Sequence, residues 1–199
     1  IVKGLDEKGL IFLYAVPWPA QGLYSKKAIN SIDDLKGLKF RAYNSATIRI
    51  AELTGMAPTK IEAAEISQAF STGAVESMIT SPTTGKNSKI WENGVGYFYD
   101  IAAWFPKNMI IVNKDSWNKL DDATKKLVMS EAAIAEKKGW DLSKKGNVAD
   151  KKALSDAGMK VGKVNSALQK HFQKVGATMS EEWKKKAGSR GASVLAAYK

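Results

Sequence analysis

The chain has 199 residues, 44% of them hydrophobic and 26% charged, a balance that excludes disorder along the whole length and suits one large domain or two small lobes. The absence of cysteine excludes disulfides, thiolate metal sites and cysteine nucleophiles, and no apolar run approaches the roughly 18 residues of a membrane span. A formal net charge of +11 has two readings, a nucleic-acid-binding surface or a lysine coat. Lys125, Lys126, Lys137, Lys138, Lys144, Lys145, Lys151 and Lys152 stand among acidic residues without an arginine-rich cluster, which favours the solvated coat and no nucleic acid.

Leu10 to Val16 is an apolar run stopped by Pro17, the pattern of a buried strand. The Pro and Gly content of residues 17–22 predicts a loop, from which Trp18 and Gln21 could line a site. Ser31 to Gly37 reads as one helical turn, and Leu38 to Tyr43 as an alternating strand. Ser45 can cap a helix running to Leu53 and ended by Gly55. A strand over Pro58 to Ile61, a helix over Ala64 to Ser71, a strand over Val75 to Thr80 and a helix opened by Pro82 follow. Residues 38–90 thus alternate strand and helix, which implies a mostly parallel sheet covered by helices. Tyr97 to Val112 is rich in strand formers on both sides of Pro106. From Ser116 the pattern turns helical as far as Gly158, with Asp121 as N-cap and Leu120, Leu127 and Ile134 at seven-residue intervals. Gly139 and Gly146 are expected to bend this helix. Met159 to Val161 reads as a short strand, and a last helical region runs from Ser166 to the end, broken near Gly176 and again around Gly188 to Gly191.

Catalytic signatures find little support. The one histidine, His171, lies between Leu168 and Val175 on a helix, where a packed or surface role outweighs catalysis, and no Ser-His-Asp set forms around it. Ser116-Trp117-Asn118-Lys119 matches the S-x-x-K pattern of serine acyl-enzymes without its companion motifs. A hydrolase using Ser116 and Lys119 is therefore the weaker alternative to helix-start chemistry. Gly94-Val95-Gly96 lacks the third glycine of a dinucleotide fingerprint. The residues call for no enzyme, no cofactor and no metal.

Arg41, flanked by Phe40 and Ala42, is either a surface residue or a carboxylate grip. At the carboxyl end of a strand in an open α/β sheet its planar fork can take both oxygens of an acid. Trp18, Trp104 and Phe105 would suit a bulky or aromatic acid, oriented by Asn108.

Asp33-Asp34-Leu35-Lys36-Gly37-Leu38-Lys39-Phe40-Arg41 resembles the "DLKGLKIR" signature of TRAP (tripartite ATP-independent periplasmic) transporter solute receptors of the DctP type. Glu65 to Ser77 is similar to that family's "E-x-x-x-A-L-x-x-G-x-V-D-G" segment, with Glu76-Ser77 in place of Asp-Gly. Tyr24 to Ile29 resembles its inter-lobe crossover, and Val112-Asn113-Lys114 with Trp117 and Leu120 the strand leading into its long helix; the Trp183 region fits as well. These matches run in order along nearly the whole chain. Ser81, before Pro82, stands where the family often carries a ligand-facing asparagine; it could bond a ligand or cap the helix.

The resemblance implies an α/β, periplasmic-binding-protein-like architecture of two lobes with a long connecting helix, the first lobe incomplete. Residues 1–24 would be the remnant of lobe one with the crossover, 25–95 the core of lobe two, 96–115 the strand returning to lobe one, and 116–199 the long helix and C-terminal helices packed across both. It implies a periplasmic receptor that binds a small organic carboxylate through Arg41 and delivers it to integral-membrane TRAP subunits. The chain begins at Ile1 without Met, which the resemblance ascribes to removal or truncation of preceding sequence, with exposed apolar edges expected around Leu10 to Val16.

Overall fold

The computed structural model of the chain describes residues 1–197, the side chain of Arg190 excepted. A first short helix, α1 (Val2–Asp6), leads into β1 (Leu10–Pro17) and β2 (Gly22–Ser25). An alternating stretch follows: β3 (Lys39–Ala42), α2 (Ser45–Thr54), β4 (Ala57–Lys60), α3 (Ile66–Ser71), β5 (Ser77–Thr80) and α4 (Pro82–Asn87). Then come β6 (Tyr97–Tyr99), β7 (Lys107–Asn113), α5 (Lys114–Asn118), the long α6 (Asp122–Asp156), β8 (Lys160–Gly162) and α7 (Ser166–Ala197). The expected last helix is described as far as Ala197; residues 198–199 lie outside the described residues.

Six strands form one sheet in the order β4-β3-β5-β2-β6-β8, and β1 with β7 forms a separate antiparallel ribbon. The β3–β4 and β3–β5 pairings are parallel, as the alternation over residues 38–90 predicted, and β6–β8 is parallel as well. Near the middle, however, β2 runs antiparallel to both β5 and β6. This buried strand occupies the end of the expected loop and the start of the crossover. Gly22 opens it because a Cβ there would strike the Phe98 ring and the Tyr99 carbonyl.

Alternation sends neighbouring residues to opposite faces. Leu23 and Ile79 join Phe40, Ile50, Leu168 and Val175 on one face. Tyr24 and Met78 join Ile66, Phe70, Phe98 and Leu154 on the other. The sheet is therefore covered on both sides, and α2 lies on the face opposite α3.

Helix ends follow local chemistry. Asn44, not Ser45, caps α2: its side chain accepts the Thr47 N–H at 2.9 Å while Thr47 Oγ1 accepts the Asn44 N–H at 3.1 Å, a reciprocal box. Gly55 closes that helix at φ 77°, the left-handed region that glycine enters freely. Asp121 caps α6, accepting the Thr124 N–H at 2.8 Å.

α6 runs unbroken through Gly139 and Gly146 as one 35-residue helix. Gly139 serves close approach: a Cβ there would collide with the Val16 side chain of β1, whereas one at Gly146 would make only ordinary contact with Asp150 and Thr83. Accordingly the heptad residues Leu127 and Ile134 face outward, each 60% exposed, while Ala132, Asp150 and Leu154 are buried. Two hydrogen bonds tie α6 to β1: Ala15 N–H to Glu136 Oε1 at 3.1 Å and Trp140 Nε1–H to the Ala15 carbonyl at 3.0 Å. Thus β1 is half-buried along its length rather than fully buried, and the exposed apolar residues of the ribbon are Met109, Ile110 and Ile111 on β7. In α7 there is no break at Gly176; the departure from helical geometry is at Gly188.

Several lysines pair with acids on their own helix, such as Lys137 with Asp141, Lys152 with Asp156 and Lys184 with Glu181. No helix is long and apolar enough to cross a membrane among the described residues.

Candidate functional site

In the sheet the chain passes from β3 outward to β4 and then back across to β5. The crevice at the carboxyl ends of β3 and β5 is thus a switch point, where ligands bind in open α/β sheets. A cavity of about 230 Å³ opens there, lined by Trp18, Gln21, Arg41, Ser81 and Asn108 together with Tyr43, Thr80 and Pro106.

Arg41 is 4% exposed. Its Nε–H donates to the Ile61 carbonyl at 2.9 Å, and its Cζ stands 4.6 Å from the centroid of the Tyr43 ring. No carboxylate forms an ion pair with it among the described residues. Burial pushes the guanidinium below its ordinary value, while Tyr43 and, more remotely, Glu62 favour the charged form. A guanidinium keeps its proton at any physiological pH, so the cavity wall carries a positive charge whose terminal N–H groups have no protein acceptor among the described residues. Those groups face the cavity, where water or an anion can meet them.

The remaining walls are held by backbone chemistry. Gln21 is buried, its Nε2 donating to the Pro19 carbonyl at 2.8 Å, and its main chain exchanges hydrogen bonds with Trp104 and Ala103. Ser81 caps α4: its Oγ accepts the Thr84 N–H at 3.0 Å and lies 3.0 Å from Thr84 Oγ1, with Pro82 in the first helical turn. The Tyr24 hydroxyl donates to the Ser81 carbonyl at 3.0 Å. Asn108 sits on β7 opposite Val16, and the Trp18 N–H donates to the Pro106 carbonyl at 2.7 Å. The ribbon thereby contributes Trp18 and Asn108 to one side of the cavity, and the six-stranded sheet contributes Arg41 and Ser81 to the other.

Five of the six residues singled out in the sequence, Trp18, Gln21, Arg41, Ser81 and Asn108, converge on this cavity. Trp104 does not. It lines a separate cavity of about 640 Å³ beside Ile50, Phe172 and Met179 of α2 and α7, and Phe105 is 62% exposed. Between Tyr99 and Lys107 the chain has no regular strand, and Ala102 adopts φ 44°. The directions of both aromatic side chains are therefore set by an irregular segment and not by a strand. Tyr43 was missed, although it lies two residues beyond Arg41, the spacing that places two side chains on one face of a strand. Ser116 and Lys119 are exposed around α5, and the Ser116 N–H is capped by Asn113 Oδ1 at 3.0 Å.

The sequence profile of the bacterial extracellular solute-binding proteins, family 7 (DctP), matches residues 3–186. Among solved structures, the chain is 39% identical to DctP7, a Bordetella pertussis extracytoplasmic solute receptor binding pyroglutamic acid. The match has a TM-score of 0.95 and covers 99% of this chain and 65% of that one. It is 36% identical, with a TM-score of 0.94, to a marine metagenome TRAP solute-binding protein specific for pyroglutamate, covering 99% of this chain and 64% of that one. A solute-binding protein of Albidiferax ferrireducens is 25% identical over 178 residues, 88% of this chain and 52% of that protein. The chain thus spans about half the length of that curated relative.

Proposed function

Because the chain belongs to family 7 of the bacterial extracellular solute-binding proteins, we propose that it is the receptor part of a TRAP transport system, holding a small organic monocarboxylate between its two sheets. The observation that carries this reading is Arg41: a buried guanidinium without an acidic partner among the described residues, lining a cavity at the switch point of an α/β sheet. With Nε committed to Ile61, a carboxylate would be taken end-on by the two terminal nitrogens in parallel hydrogen bonds.

The ligand proposed is an acid of about the size of pyroglutamate, the compound named for two receptors at 36% and 39% identity. The cavity of about 230 Å³ is below the roughly 300–1,000 Å³ of drug-sized pockets. Trp104 and Phe105 do not line it, Trp104 reaching it only through a side-chain hydrogen bond to Tyr43, so a large aromatic acid is disfavoured. In this reading the ribbon belongs to one lobe, the six-stranded sheet to the other, and α6 spans both. Ligand contacts from both sides favour closure, and the closed receptor delivers its cargo in the periplasm to integral-membrane subunits.

The test is calorimetric titration of the full-length protein with L-pyroglutamate, orotate, D-glucuronate and, as a neutral control, 2-pyrrolidinone. At least one acid is expected to bind and the lactam without a carboxylate is not. Loss of a buried charge pair costs about 2–5 kcal/mol, so Arg41→Ala should weaken binding roughly thirtyfold or more. Equal binding of the acid and the neutral lactam, or an Arg41→Ala protein of undiminished affinity, would refute the assignment.

A further inference from the structure

Resting on the carboxylate reading of Arg41, we propose that Tyr43 is a positioning residue for that arginine: its aromatic face holds the guanidinium edge-on to the cavity and so sets the direction from which a carboxylate can be taken.

The argument starts from what fixes a guanidinium. It is a flat group on a long flexible stem, and a binding fork is useful only when its plane is fixed before the ligand arrives. Arg41 is held at two points, its Nε–H by the Ile61 carbonyl at 2.9 Å and its face by the Tyr43 ring at 4.6 Å. The carbonyl fixes one edge of the fork and the ring fixes one face. What remains is the end that carries both terminal amino groups.

Tyr43 is itself well placed to act as a fixed plate. Its N–H donates to Thr47 Oγ1 at 3.0 Å, inside the capping structure that starts α2. Burial raises its phenol above the ordinary value, so the ring stays neutral at physiological pH, with its electron-rich face intact for the cation. The arginine has no ion-paired acid among the described residues, so without a ligand the ring is the main group that compensates its charge. Glu62 is the nearest competitor. It acts on Arg41 electrostatically but is exposed, and it pairs loosely with Lys60 at 3.5 Å. Removing the ring would free the guanidinium to turn away from the cavity.

The experiment compares Tyr43→Phe, which keeps the ring, with Tyr43→Leu, which keeps bulk but no π face, in the full-length receptor titrated with L-pyroglutamate and the other acids above. A desolvated cation–π contact predicts that Tyr43→Leu weakens acid binding by roughly 5- to 30-fold. Tyr43→Phe should stay within about twofold of the parent. Melting temperatures of the ligand-free variants guard against a folding defect. If both variants bind like the parent, or if both lose affinity equally so that the hydroxyl and not the ring is needed, the positioning role is wrong. Either result with Arg41→Ala still impaired leaves the carboxylate reading standing. A parent protein that binds no acid, or an unimpaired Arg41→Ala, overturns that reading and this inference with it.

Discussion

Removing the lysine that pairs with Asp150 should harm the protein at least as much as removing Asp150 itself, although the lysine is the more exposed partner. The Asp150 side chain is 7% exposed and that of Lys86 43%, with Lys86 Nζ 2.7 Å from Oδ1 and Thr83 Oγ1 2.6 Å from Oδ2. These contacts fasten α4, the helix that follows Ser81, to α6. Asp150→Ala removes one charge-assisted hydrogen bond from the half-buried Thr83, while Lys86 returns to water. We expect a loss of about 2 kcal/mol. Lys86→Met leaves a buried carboxylate with only the threonine hydroxyl. Breaking a fully buried pair that way costs about 3–5 kcal/mol, and the surviving hydrogen bond places the loss here at the lower end. The double variant should resemble Asp150→Ala, because no unpaired charge remains. Urea unfolding with a shared slope would measure all three. For a chain of this size about 2 kcal/mol corresponds to roughly 4–8 °C in melting temperature. A Lys86→Met protein within about 0.5 kcal/mol of the parent would show that Asp150 is adequately solvated and that the reasoning fails.

Two glycines of the long helices should respond to alanine with opposite signs. At Gly139 the new methyl meets Val16, so the substitution should destabilise by about 1–3 kcal/mol. At Gly176 nothing lies within 4 Å, and relief of glycine's helix penalty should stabilise by up to about 1 kcal/mol; thermal melts of the pair decide. Acid should destabilise the fold through Asp34, Asp121 and Glu182. Their carboxyls lie below the ordinary range because Asn30 and Ser31 N–H groups, the Thr124 N–H and Arg49, respectively, donate to them. The unfolded chain takes up these protons first, so the stability they contribute is present above the unfolded value, about 4, and is lost as pH falls through the lower folded values. Melting curves from pH 6 to 3 would test this, and an unchanged midpoint would contradict it.

Local chemistry was the most legible part of the sequence. Asp121, Ser81 before Pro82 and Gly55 mark helix ends because each satisfies or terminates a backbone ladder within a few residues. The place of Arg41 in the cavity wall was legible because it stands near the carboxyl end of a strand. What failed to show depends on distant partners. Gly22 to Ser25 reads as loop and crossover, since its strand character comes from Thr80 and Tyr99, far along the chain. Likewise Leu127 and Ile134 define a periodic face on α6, but periodicity cannot say which face is covered. The covered face is built from Ala132, Gly139 and Gly146, whose smallness is the signal. Trp104 follows the left-handed Ala102 in an irregular segment, so no periodicity indicated which cavity its side chain would line.

The strand order has a kinetic corollary. Gly22 pairs with Thr80, Leu23 also with Tyr99, Tyr97 with Lys160, and Leu10 with Asn113. Pairings this remote are slow to form, because loop closure must precede the contacts that reward it. As the polypeptide emerges from its N-terminus, the middle of the sheet can assemble once residue 99 is available, but the β6 edge stays open until residue 162 is made. The strand that closes this edge, β8, follows α6 directly, so the edge closes only after the longest helix has been made. Early chains therefore expose a ready pairing edge, and their escape from aggregation depends on how quickly the C-terminal third follows.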